Sequence, residues 1–128
     1  MDTGLAAYLC GWYMRETLMN EASSGKFYET FVITEIIKSY YNQGIKPNIY
    51  YYRDTNKVEV DLLILENNTI YPIEIKKTAS PNLKDIKSFK NLNGAIKNIR
   101  VGTGGLICNA KDFMRFDKNN YIIPIEYI

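Results

Sequence analysis

Histidine is absent from this 128-residue chain. That absence excludes Ser-His-Asp and Cys-His catalytic arrangements and any histidine-ligated zinc site. Cysteine is scarce too: Cys10 and Cys108 have no spacing that suits a disulfide framework or a metal centre, and both read as packing residues. No apolar run approaches the roughly 20 residues of a membrane span, and Met1-Asp2-Thr3 begins no signal peptide. A cytoplasmic protein with no membrane partner is therefore expected. Any chemistry falls to carboxylates, lysine, tyrosine or a hard cation such as magnesium.

What is present is a foldable domain. Hydrophobic residues make up 46% and aromatic residues 13%, with eleven tyrosines, which rules out a disordered chain. Net charge is only +2, but it is unevenly spread. Lys76, Lys77, Lys84, Lys87, Lys90, Lys97 and Arg100 follow one another with Asp85 as the sole acid among them. Such a stripe suits a phosphate backbone, and a solvated helix face explains it equally well.

The informative stretch is Asn56 to Thr78, in which two alternating apolar runs meet at Glu66-Asn67-Asn68, a turn-forming break. Strand alternation puts Glu59, Asp61, Leu63 and Leu65 on one face and Val58, Val60, Leu62 and Ile64 on the other. It also groups Glu74 with Lys76, away from Ile73 and Ile75. Both runs are apolar on two faces, as in a sheet covered on both sides. Carboxylates and a lysine there must be paired or hold a metal to offset desolvation. Charges reaching solvent at strand ends, or a simple Glu74–Lys76 ion pair, account for the same residues without chemistry.

In chain order, residues 1–22 predict a helical lead-in, and residues 23–128 the main domain. Asn20 to Gly25 reads as a linker. A helix is expected from Lys26 to Asn42, ended by Gly44 and Pro47, with Lys26, Thr30, Thr34 and Lys38 on its wet edge. Glu29 shares a stripe with Ile33, Ile36 and Tyr40 and should point inward, and Glu35 is its rival. Asn48 to Arg53 predicts a strand, so that three strands form an antiparallel meander. A second helix follows Ser80-Pro81-Asn82, with Leu83, Ile86 and Phe89 inward and Lys84, Lys87 and Lys90 outside. Gly102-Thr103-Gly104-Gly105 reads as a bend, without the Gly-Lys-Ser/Thr of a nucleotide loop. The chain closes on a strand from Tyr121 to Ile125. This order predicts an α/β fold with a mixed central sheet, the meander plus a crossover strand, flanked by helices.

The ordered set Gly25-x-x-x-Glu29, Asp61 and Glu74-x-Lys76 resembles the signature of the PD-(D/E)XK nucleases, whose core is restriction-endonuclease-like. Over most of the chain, Asp2 to Leu9, Gly25 to Val32, Tyr52-Arg53, Glu59 to Asp61 and Ile73 to Lys76 resemble the C-terminal domain of unknown function of bacterial AAA-type ATPases. That resemblance implies an ATPase module and a winged helix elsewhere in a longer protein, and no ATP site here.

The resemblance further implies magnesium-dependent hydrolysis of DNA phosphodiester bonds, with magnesium or manganese as the cofactor. Asp61, Glu74 and the Ile75 carbonyl would hold the metal. Lys76 would position or help deprotonate the attacking water, and Glu29 would complete the site or hold a second metal through water. Lys77, Lys84, Lys87 and Lys90 would hold the DNA backbone. Glu59 is an accessory residue or a partner for Arg53, and Glu35 is the alternative acid on the helix. The competing expectation is a non-catalytic nucleic-acid-binding or partner-docking module of such an ATPase.

Overall fold

The computed structural model describes residues 21–128. The expected lead-in lies outside the described residues except for Glu21 and Ala22. These two open helix α1, Glu21–Asn42, so the helix begins earlier than Lys26 and residues 21–25 of the expected linker form its start. Glycine at Gly44 takes φ 72°, and its N–H donates to the Tyr41 carbonyl at 2.9 Å. The left-handed residue closes the helix where the sequence placed its end. Thr34, expected on the wet edge, is instead buried. Its hydroxyl donates to the Thr30 carbonyl at 2.8 Å, which removes the cost of burying it. Helix α1 belongs to one compact unit, which ends at Ile45 apart from Ile128, and Lys46–Tyr127 form a second.

The second unit is a mixed seven-stranded sheet. Its strands are β1 (Ile49–Arg53), β2 (Glu59–Glu66), β3 (Thr69–Ile75), β4 (Arg100–Val101), β5 (Gly104–Cys108), β6 (Met114–Arg115) and β7 (Asn120–Pro124). They run in the order β1-β2-β3-β5-β7-β6, with β4 also on β3. The meander β1 to β3 is antiparallel, whereas β5 joins β3 and β7 in parallel. The β2–β3 hairpin turns on Asn67 and Asn68, both at positive φ (51° and 62°). Two such residues give the primed turn whose twist matches the strands, and asparagine tolerates it better than most.

The crossover from β3 to β4 and β5 carries η1, Leu83–Leu92, two short 3-10 turns joined at Ile86, whose φ of −112° and ψ of 17° break the helical run. Asn82 starts it: its side chain accepts from the Lys84 N–H, and Asp85 accepts from the Asn82 N–H, both at 2.9 Å. A 3-10 helix has three residues per turn. The sequence repeats with that period, Lys84-Asp85-Ile86, Lys87-Ser88-Phe89, Lys90-Asn91-Leu92. Ile86, Phe89 and Leu92 accordingly stack inward, in one core with Val60, Leu63, Ile70 and Leu106. Leu83, expected inward, precedes the first triplet and is 53% exposed.

Val60 and Leu63 lie three apart yet share that core, which simple alternation forbids. The register explains it: Tyr50 pairs with Leu63 and Tyr52 with Val60, so Asp61 and Leu62 together oppose Tyr51. One extra residue in β2 makes a β-bulge, which resets the alternation and re-aims the side chains on either side of it. The expected grouping of Leu63 and Leu65 with Glu59 is therefore corrected.

The glycines Gly104 and Gly105 are not a bend but the start of the wholly buried β5. A Cβ at Gly104 would come within 2.7 Å of the Phe89 ring. Glycine is needed there for close packing of η1 on the sheet, not for a turn.

Candidate active site

The β2–β3 ladder stops at Leu62 and Ile73. Two residues further along β3, the Ile75 N–H would have no partner on β2. The Asp61 carboxylate takes its place, Oδ2 accepting from that N–H at 2.8 Å. The bulge and the end of pairing thus coincide at Asp61, and its side chain bridges the gap between two strands.

Across that gap lies Glu74, only 8% exposed. Lys76 Nζ stands 3.7 Å from Glu74 Oε1, an ion pair longer than a hydrogen bond. Glu74 Oε2 is buried and has no hydrogen-bond partner as an acceptor. Burial chiefly, and then the charge of Asp61, push the Glu74 carboxyl up to about 8, while Lys76 pulls in the other direction. At neutral pH the pair therefore holds a proton: two carboxylates this close resist ionising together. A divalent cation would serve in the proton's place.

The donor set suits a hard cation. Two carboxylates of this kind, with water filling the remaining positions, match how magnesium is commonly bound. Among the described residues no cluster of three or more metal-ligating side chains forms, so the protein part of such a site is the Asp61–Glu74 pair with backbone oxygen, of which the Ile75 carbonyl is the candidate.

Lys76 has a side chain 46% exposed and lines a groove of about 800 Å³ with Lys57, Glu59 and residues of η1. Lys84, Lys87 and Lys90 are exposed and line the same groove. Lys77, just past β3, is also exposed. Glu59 pairs with Arg53 at 3.5 Å, both about half exposed. Its hydrogen bond to the exposed Tyr51 phenol raises that group's proton affinity. Glu59 is thus a rim residue with two partners of its own.

Glu29 and Glu35 lie on α1, in the other unit. Glu35 pairs with Lys38 at 3.3 Å, and Glu29 is half-buried. Lys57 is the basic residue of this groove that sequence reasoning missed. It sits at φ 63° in a turn held by Asp54, whose Oδ1 accepts from Asn56 and Val58 N–H groups at 2.9 Å. The only signal was the turn chemistry of Asp54-Thr55-Asn56, which says where the chain reverses but not what the next lysine faces.

Residues 24–128 match the family model described as Domain of unknown function (DUF4143). No curated protein matches the chain. No described helix is long and apolar enough to cross a membrane.

Proposed function

The chain belongs to the DUF4143 family, and we propose that its Asp61–Glu74 pair holds magnesium or manganese for hydrolysis of DNA phosphodiester bonds. The observation that carries this reading is the buried Glu74 oxygen without a partner, set beside a second carboxylate and a lysine. A bound cation would neutralise charge building on the phosphoryl oxygens. The chain's own groups do the rest. Asp61 and Glu74 fix the cation at the end of two strands, on rigid backbone. Lys76 reaches the groove and orients the attacking water with its ammonium, giving up its long contact to Glu74 Oε1. The lysines of η1 hold the polyanion in register, a contact that positions without reading sequence.

The same proposal includes a nuclease-like core of PD-(D/E)XK type, supported by the meander, the crossover to a parallel strand, and the placement of Asp61 on β2 with Glu74-Ile75-Lys76 on β3. It also includes an AAA-type ATPase module as a partner in the full-length protein, a reading that rests on sequence resemblance alone. A second reading, a non-catalytic docking module, is favoured by Tyr50 and Tyr51, which are 52% and 58% exposed on the edge strand β1. A cleavage assay with magnesium on single-stranded and duplex DNA separates the two. Hydrolysis by the wild type that Asp61→Ala and Lys76→Ala abolish supports the enzyme. Absence of cleavage under every metal condition supports docking.

A further inference from the structure

The period of three in η1 gives the segment three distinct faces, and two grooves show what each face does. Lys84, Lys87 and Lys90 line both grooves. The residues after them, Asp85, Ser88 and Asn91, line only the groove that contains Lys76. Those before them, Leu83, Ile86 and Phe89, line only the second groove, of about 740 Å³. The lysines therefore form a crest between a polar groove and an apolar-floored one.

The second groove has the chemistry of a base-binding site. Its apolar side is Leu83, half exposed, and Val101 over the buried Pro72, Ile86 and Phe89. Its far wall carries Thr103, Asn119, Asp117 and Asn120, whose side-chain amide donates to both Asp117 oxygens at 2.9 and 3.1 Å. An apolar bed suits the faces of nucleobases, and the Asn119 amide and the Thr103 hydroxyl suit their hydrogen-bonding edges. Phosphates belong on the crest, because lysines stacked one above another match a linear polyanion. A duplex keeps its bases paired and stacked inside, where they cannot enter such a groove. A single strand can splay them outward.

We infer that η1 carries one DNA strand astride its lysine crest, with bases in the apolar-floored groove and the neighbouring phosphates directed into the groove of Lys76. This rests on the hydrolase reading and names its substrate class, single-stranded DNA.

Fluorescence anisotropy on the full chain tests it, with a short labelled single strand and the blunt duplex made from it, at one fixed salt concentration. The single strand binds at least about tenfold more tightly than the duplex, the worth of roughly one stacked base. Thr103→Trp fills the apolar-floored groove from its exposed rim and removes most of that preference, while leaving duplex binding within about twofold. Asn119→Ala, a smaller change on the far wall, weakens the single strand by about threefold and checks the same groove should the tryptophan variant misfold by circular dichroism. Lys87→Glu weakens both forms. Equal affinity for the two forms, no binding of either, or full single-strand affinity in both folded groove variants overturns the inference. Metal binding by the wild type and its loss in Asp61→Ala are read separately by calorimetry. Metal binding without strand preference overturns the single-strand inference alone, whereas strand preference without metal binding overturns the hydrolase reading.

Discussion

Asp61 Oδ2 accepts a 2.8 Å hydrogen bond from the Ile75 N–H, so a carboxylate performs the task of a strand carbonyl at the point where β2 leaves β3. This gives Asp61 a structural role distinct from its charge. Asp61→Asn keeps an acceptor oxygen and should cost little stability, whereas Asp61→Ala orphans a buried donor and should cost about 1–3 kcal/mol. Urea denaturation of the two variants checks this. Both variants should lose metal binding, which separates charge from scaffold.

The raised affinity of Glu74 for a proton makes stability depend on pH. Its ordinary value is 4.5 and its folded value about 8. Below the first value both folded and unfolded states are protonated, and the buried group costs nothing extra. Between the two, the folded state holds a proton that the unfolded chain has released, so stability falls as pH rises and levels off above the folded value. Glu74→Gln should remove this contribution to the slope, as read from denaturation midpoints across that range. Binding of a divalent cation should strengthen over the same interval, because the cation displaces the proton.

Core and surface positions of η1 and the sheet should respond very differently. Leu106, wholly buried in the cluster under η1, should lose about 2–5 kcal/mol on truncation to alanine. Leu83→Ala, at a position 53% exposed, should stay within about 0.5 kcal/mol of the wild type. Thermal denaturation of the pair tests whether η1 is seated through its triplets.

The close packing at Gly104 makes a further stability test. Alanine there places a methyl against Phe89 and Asn120, and a well-packed interior charges about 1–3 kcal/mol for such an intrusion. A Gly104→Ala protein as stable as the wild type would contradict the packing of η1 over the start of β5.

The hairpin, the inward carboxylates and the lysine were legible because each is written locally. Alternation marks β2 and β3, the asparagine pair marks the turn between them, and charges in apolar strands stand out by their cost. The bulge at Asp61 and Leu62 was not legible. An inserted residue leaves the sequence alternation unchanged and shows only against Tyr51 on the partner strand. The 3-10 character of η1 was written in its period of three, yet positions three apart also suit an α-helix. Gly104 looked like turn chemistry because glycine's value there depends on Phe89, fifteen positions earlier in the chain. The lysine at position 57 escaped notice for a similar reason: what it faces is decided by the tertiary fold.

The proposed site has Asp61 and Glu74 together holding a divalent cation. Calorimetric titration of manganese and magnesium near neutral pH, repeated in buffers of different ionisation enthalpy, tests it directly. One bound cation with proton release is expected, and loss of both in Glu74→Gln and Asp61→Asn while the fold survives. A wild-type protein that takes up neither metal even with DNA present would contradict it, as would a Glu74→Gln variant that binds as the wild type does. In either case Asp61, Glu74 and Lys76 would be a structural ion cluster holding the ends of two strands.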